Sequence, residues 1–356
     1  MLDYSKWHIE PTNRCTLKCS KCSRLAYDYN KLGYNDIDPD ALVHFWEPIA
    51  PDIQHVNLCG NHGDPLYHPE LIKLRNKIRE LNPAIHISMT TNGSYRPKRW
   101  WEEFMENINP QQDSITFSVD GLEDTNHFYR QNCDWPSILQ AMEIVGKSMV
   151  TSAWKFIIFN HNEHQVEEAE RLAKKLGITR FRVVKSSIWH SIEDKDMPTD
   201  LNNISEEIRP IMQKQLDERL KADPNFKLGK HNKGVTYHSP DTITKQHPHT
   251  GFGIHNLLFE VQPKCVSHGN LYISADNVFT PCCWYDTAHN RISTVLADKR
   301  KEFSIYNKTY FDIEEHLEKI GWMDTIRAKN DYVCNKMCGQ SLRQTYDYND
   351  HSVKVL

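Results

Sequence analysis

From about residue 5 to residue 185 the chain alternates short apolar runs with longer amphipathic stretches. The runs are "SKWHIE", "QHVNLCG", "AIHISMTTN", "DSITFSVDG", "AWKFIIFN" and "TRFRVVKSS", and each has the length and composition of a strand. Between them lie helical patterns such as "DPDALVHFWEPIA", "HPELIKLRNKIRELN" and "CDWPSILQAMEIVGKS". The clearest is "NEHQVEEAERLAKKLG", where Val166, Ala169, Leu172, Ala173 and Leu176 recur at helical spacing. Asn162 is the expected N-cap of that helix and Gly177 its stop. Six strands alternating with helices predict an α/β fold with a parallel sheet, because parallel neighbours need crossover connections. The pattern alone leaves a barrel and an open sheet undivided. In either case ligands belong at the carboxyl ends of the strands.

The character changes between about 186 and 256, where the sequence turns polar and irregular and carries scattered histidines. One helix is expected in "ISEEIRPIMQKQLDERLKAD"; the remainder reads as a surface linker or a lid over a substrate. A third region begins near Leu257 with the strand-like "GNLYISADNVFTPCC" and a helix-rich tail. The expected division is therefore 1–185, 186–256 and 257–356.

Composition narrows the function. The 356 residues are 39% hydrophobic and 25% charged, enough for a sizeable core, and the formal net charge of -4 gives no general attraction to phosphate backbones. Nucleic acid is not an expected partner. No apolar run reaches the roughly 20 residues that span a bilayer, and the start lacks a signal-peptide pattern, so the expected location is cytoplasmic. In a reducing compartment, clustered cysteines point to metal or redox chemistry rather than to disulfides. Eight of the ten cysteines fall in two groups: Cys15, Cys19 and Cys22, and then Cys265, Cys282, Cys283, Cys334 and Cys338. Cys59 and Cys133 stand apart and read as ordinary buried thiols, Cys59 having the better functional case at a strand's carboxyl end.

The first group has the spacing C-x-x-x-C-x-x-C. A cubane iron-sulfur cluster normally takes four thiolates, so three leave one iron open to a ligand. A zinc knuckle completed by His8 or a remote cysteine is the competing reading. "CTLKCSKC" after a first strand, followed by "GNHGDPL", "TTNG", "SVDG", "NHFYRQNCDWPSILQAM" and "FIIFNHNEHQVEEAERLAKKLGI", resembles the radical S-adenosylmethionine (radical SAM) superfamily over residues 5 to 185. The resemblance implies a partial (β/α)6 TIM-like barrel with a smaller C-terminal auxiliary-cluster domain. It implies that Cys15, Cys19 and Cys22 ligate a 4Fe-4S cluster whose fourth iron is chelated by S-adenosylmethionine. By the same carry-over, Gly63 and Asp64 receive the amine, Ser118, Asp120 and Arg130 meet the ribose hydroxyls and carboxylate, and Asn92 borders the pocket. The chemistry implied is reductive cleavage of the sulfonium to a 5′-deoxyadenosyl radical, which abstracts a substrate hydrogen. Two positions depart from the family's usual pattern: Lys21 replaces an aromatic residue, and Asp64 a glutamate.

The second group resembles the Twitch domain, a shortened SPASM domain. This maps Cys265, Cys282, Cys334 and Cys338 to one auxiliary 4Fe-4S cluster, with Cys283 spare and the pair Cys282/Cys283 unranked. Asn277, in "ADN", is expected to take a left-handed conformation at a hairpin turn. A cluster closed by four thiolates would relay an electron, which points to net oxidation of the substrate. The expected enzyme is a radical SAM oxidoreductase that acts on a peptide or protein side chain, with a small alcohol of the aminocyclitol type as the alternative. An electron donor such as flavodoxin or ferredoxin is the expected partner. The chain starts close to the cysteine loop, so a peptide-recognition domain would have to come from a separate partner. A zinc-stabilised interaction protein is the alternative outside enzymes.

Overall fold

The computed structural model describes residues 2–19, 22, 24, 33–159, 161–184, 259–261, 263–267, 269–286, 296, 299–328, 331, 333–334, 338–341 and 352–353. The expected linker or lid, the helix within 204–223 and Lys21 lie outside the described residues.

Each of the six apolar runs forms a strand: β1 (Lys6–Ile9), β2 (His55–Leu58), β3 (His86–Thr91), β4 (Asp113–Ser118), β5 (Thr151–Ile157) and β6 (Arg180–Val184). They pair parallel in chain order. Helices supply the crossovers: α1 (Pro39–Trp46), α2 (Leu71–Leu81), α3 (Lys98–Glu106), the short α4 (Asn126–Tyr129), α5 (Trp135–Gly146) and α6 (Val166–Leu176). Local chemistry sets several ends. Asp38 caps α1 by accepting from the amides of Asp40 and Ala41, with Pro39 in the first helical position. Gly177 closes α6 in the left-handed conformation, at φ 85°. Asn162 departs from expectation. Its side chain makes no cap bond and turns inward instead, accepting from the Phe159 amide at 2.7 Å and donating to the Asp120 and Ile157 carbonyls at 2.9 Å each.

Alternation along the strands divides the sheet into two faces. Trp7, Ile9, Val56, Leu58, Ile87, Met89, Ile115, Phe117, Trp154 and Phe156 are buried in the main core beneath the helices. Their neighbours in sequence lie on the other, inner face.

The C-terminal region joins the same sheet. After the short helix α7 (Lys264–Ser267), β8 (Leu271–Ser274) pairs parallel with β1 and antiparallel with β9 (Val278–Thr280). At the opposite edge β11 (Ser352–Val353) pairs antiparallel with β6. The nine-stranded order is β11-β6-β5-β4-β3-β2-β1-β8-β9; β7 (Phe259–Val261) and β10 (Gly339–Ser341) form a separate pair. Asn277 sits at the β8–β9 turn with φ 61°, as its sequence context predicts. It also ties the hairpin to the barrel: its Oδ1 accepts from the Asp38 amide at 2.7 Å and its Nδ2 donates to the Asp36 carbonyl at 3.1 Å. Helices α8 (Tyr310–Lys319) and α9 (Trp322–Arg327) complete this region, and Tyr310, Ile313 and Trp322 join the main core.

Candidate active site and a second thiol cluster

All the loops singled out in the sequence converge at the carboxyl ends of β1 to β4. The first cysteine group follows β1. Leu17 and Cys19 pack with Tyr129 and Phe159, and Cys15 and Cys22 lie against this small cluster. The Cys22 amide donates to the Cys19 carbonyl at 3.0 Å, and the Lys18 amide to the Gln131 carbonyl at 3.0 Å. Asn132 Nδ2 holds the Thr16 carbonyl at 2.9 Å. The loop is thus pinned by the turn that follows α4.

The loop after β2 is equally constrained. A Cβ on Gly63 would lie 1.8 Å from the Thr12 carbonyl oxygen, and one on Gly60 would lie 2.1 Å from that of Gly63, so no side chain fits at either place. The Asp64 amide donates to the Arg14 carbonyl at 2.9 Å, and Arg24 Nε to the His62 carbonyl at 2.8 Å, which binds this loop to the cysteine loop. The Asp64 side chain is buried and accepts from the Leu66 amide (3.0 Å), Thr91 Oγ1 (2.7 Å) and the Asn92 amide (2.6 Å). Burial pushes its carboxyl above the ordinary range, and these donors act against that shift. Asn92 Nδ2 in turn lies 3.8 Å from Cys15 Sγ.

Beyond β4, Asp120 is fully buried. It accepts from Arg130 Nε at 2.7 Å and from the Ile157 amide at 2.6 Å. Burial is the largest influence on Arg130 and opposes its charge, but Asp120, Cys19 and Tyr129 together hold the guanidinium above its usual range. Ser118 ends β4 on the inner face, in register with Lys155. The structure therefore brings Cys15, Cys19, Cys22, Gly63, Asp64, Asn92, Ser118, Asp120 and Arg130 to one end of the sheet. His8 lies elsewhere in its contacts, with Nε2 2.9 Å from the Cys59 carbonyl.

The chemistry of the three thiols fits a metal cluster. Burial pushes Cys19 up to about 12 and raises Cys15 and Cys22, each against the ordinary thiol. Such thiols ionise only when a bound cation supplies the missing charge, and a coordinating thiol is deprotonated outright.

The C-terminal thiols divide unequally. Burial raises Cys282 well above its usual range, and it feels charge on Cys283, Cys265 and Cys334. Cys265 feels Cys338, and Cys334 feels both. Tyr285 OH lies 3.3 Å from Cys334 Sγ, and the Cys334 amide donates to Asp331 at 2.9 Å. Cys283 also meets the barrel side: its carbonyl accepts from Asn61 Nδ2 at 3.4 Å, and its thiol, pushed up to about 12 by burial, feels Cys59, Asp286 and Glu10.

Known proteins share part of this sequence and fold. The sequence matches the family model for the radical SAM superfamily over residues 9–176. Residues 9–176 belong to the radical SAM superfamily. It is 24% identical over 313 residues to GTP 3',8-cyclase of Aquifex aeolicus (strain VF5), covering 83% of this chain and 90% of that protein. Among solved structures, Streptococcus suis SuiB bound to precursor peptide SuiA shares the fold, at TM-score 0.50 and 14% identity. That match covers 84% of this chain but 64% of SuiB, so the present chain spans less than two thirds of it. Native anSMEcpe with bound AdoMet matches at TM-score 0.47 and 15% identity, covering 83% of this chain and 82% of that one.

This radical SAM enzyme also contains a buried polar cluster that sequence reasoning missed. Glu10, the last residue before the cysteine loop, accepts the amides of His62 (2.5 Å) and Gly63 (2.9 Å) with one carboxylate oxygen. The Tyr272 hydroxyl of β8 lies between the other oxygen and Asp286, with the Asp286 contact at 2.7 Å. Arg300 Nη2 reaches Asp286 Oδ1 at 2.9 Å. The polar atoms of Glu10, His62 and Asp286 lie within 4.8 Å of one another, and Arg300 brings a positive charge to the group. The available signal was an acidic residue ending an otherwise apolar strand in "KWHIEPTNRC". Its C-terminal partners, Tyr272 and Asp286, more than 260 residues away, left none. No helix among the described residues is long and apolar enough to cross a membrane.

Proposed function

We propose that this chain is a radical SAM oxidoreductase with two 4Fe-4S clusters, acting by hydrogen abstraction from a substrate held on the inner face of its sheet. The observation that carries the reading is the division of thiols into a group of three and a group of four. Three thiolates leave a cubane one open iron, whereas four close it. Cys15, Cys19 and Cys22 would hold the first cluster. Cys265, Cys282, Cys334 and Cys338 would hold the second, and we leave Cys283 out because its carbonyl is tied to Asn61 on the barrel side, at 3.4 Å, whereas Cys282 packs against the core that contains Cys265 and Cys334. When bound, the first cluster and S-adenosylmethionine supply one-electron cleavage of the sulfonium and so the hydrogen-abstracting species.

The chain's own residues do the placing. Gly60 and Gly63 let the backbone after β2 approach the cysteine loop, and Asp64 fixes that backbone against Asn92. Asp120 holds Arg130 charged and oriented beside the thiols, where a guanidinium can clamp the ligand's carboxylate. Both oxygens of Asp120 are used within the protein, so we assign it to positioning Arg130, and Ser118 to the ribose. Tyr129 and Phe159 keep water from the thiols.

Oxidative modification of a peptide or protein side chain is the first reading of the substrate, in keeping with the fold shared with a peptide-bound structure. A small polar molecule is the second, favoured by the hydrophilic inner face described below. A flavodoxin or ferredoxin would supply the electron. In the test, anaerobically reconstituted protein should bind about eight irons, four per cubane, and form 5′-deoxyadenosine when reduced with dithionite. Tightly bound zinc without 5′-deoxyadenosine would overturn the reading.

A further inference from the structure

The inner face of the sheet is unlike the packed interior of an ordinary barrel, where bulky branched residues dominate. Ser88, Thr90 and Thr116 occupy it on β3 and β4, and all three are half-buried rather than sealed. On the next strands the same face turns cationic. Ser118 is in register with Lys155, and Lys155 with Arg182, while Arg180 lies one step below. Trp154, Phe156 and Phe181 pack against one another by ring contacts, and the first two are fully buried in the helix-covered core, so the alternating cations must face inward.

Lys155 lies near enough to Cys59, just beyond β2, and to Asp120, just beyond β4, for its charge to act on both. Lys155, Arg180 and Arg182 are exposed, and none has a carboxylate partner within ion-pair distance among the described residues. The acids on this side are already committed, Glu10 to two amides and Tyr272, and Asp120 to Arg130. A polar face whose exposed cations make no ion pair among the described residues suits a hydrophilic anion and disfavours an apolar side chain.

We infer that Lys155 and Arg182, supported by Arg180, form an oxyanion subsite that binds a carboxylate or phosphate group of the substrate. The inference rests on the proposed placement of the substrate on this inner face. Arg182 offers a planar fork and Lys155 a point charge, a pairing suited to an anion with several oxygens.

The test uses the full-length, anaerobically reconstituted enzyme with S-adenosylmethionine present, titrated calorimetrically with inorganic tripolyphosphate and, separately, with citrate. At least one probe should bind. Tripolyphosphate identifies a phosphate-bearing substrate, and citrate a carboxylate-bearing one. Lys155→Gln and Arg182→Gln should each weaken that binding about tenfold or more, the cost of one charge-assisted contact. Lys155→Arg should keep most of it, and Lys175→Gln, on the exposed outer helix α6, should not change it. Thermal melts and iron content show that each variant is folded. Absence of binding by both probes, or equal binding by the folded Gln variants, overturns the subsite. Wild-type 5′-deoxyadenosine formation, measured in parallel, separates the outcomes: if it persists, only the subsite fails, and if it is absent, the underlying reading fails.

Discussion

Adjacent cysteines at 282 and 283 show what single residues reveal and conceal. Spacing could not rank them, because either would serve a motif read along the chain. In the fold, however, Cys282 packs against the core that contains Cys265 and Cys334, while the Cys283 carbonyl meets Asn61 after β2. Accordingly, Cys334→Ala and Cys282→Ala should each remove about half of the bound iron, whereas Cys283→Ala should keep all of it. An iron assay on the three variants decides the matter. His68 gives a residue-scale prediction for pH. Its Nε2 donates to the Ile37 carbonyl at 2.9 Å and its Nδ1 accepts from the Glu70 amide at 3.0 Å, which defines one neutral tautomer. Burial lowers its pKa from 6.5, so the folded state prefers the neutral ring. The unfolded chain then binds the proton first. Its stabilising contribution is complete above 6.5 and is lost as pH falls from there toward the folded value. Melting temperature should therefore drop more between pH 7.5 and 5.5 in the wild type than in His68→Asn, measured by calorimetric or fluorescence melts.

At the scale of elements, β1 to β6 were readable because apolar alternation and length identify parallel strands without any partner in view. Their helices were readable from the 3.6-residue period. Asn162 was misread for a local reason: asparagine hydrogen-bonds whatever backbone is near, and here its Oδ1, the atom a cap would use, accepts from the Phe159 amide while Nδ2 is taken by the Asp120 and Ile157 carbonyls. Pairing of β8 with β1 was not readable at all, because a parallel match of residues 7–9 with 271–273 leaves no mark in either segment. This pairing gives Glu10 its setting. The carboxylate anchors two amides of the loop after β2 while Tyr272 and Asp286, from the C-terminal region, anchor the carboxylate. Glu10→Ala leaves two buried N–H groups unsatisfied, at about 1–3 kcal/mol each. We expect a loss of S-adenosylmethionine affinity of about tenfold or more, with iron in the first site retained, and a smaller loss in Glu10→Gln. Equilibrium binding under anaerobic conditions measures it; unchanged affinity in both variants would remove Glu10 from the positioning of that loop.

For the molecule as a whole, the barrel and the C-terminal region behave as one sheet rather than as two bodies joined by a tether. A chain ending at residue 258 would lose β8 and leave β1 as an open edge, with Trp7 deprived of its contacts with Phe279 and Tyr310. Such a fragment should aggregate or melt far below the full chain, as size-exclusion chromatography and thermal melts would show; a monomeric, equally stable fragment would contradict this account. The same strand has a temporal consequence. Synthesis proceeds from the N-terminus, yet β1, the first strand of this sheet to be made, waits for a neighbour more than 260 residues later. Until that partner arrives, one side of the oldest strand stays unsatisfied, and the cysteine loop hangs from an unfinished support. Pairings this distant along the chain are slow to form and expose the nascent protein to aggregation in the interval. The strand that leads into the cysteine loop thus gains its second neighbour only once residues 271–273 have been made, and until then its open edge is where the nascent chain is most exposed to mispairing.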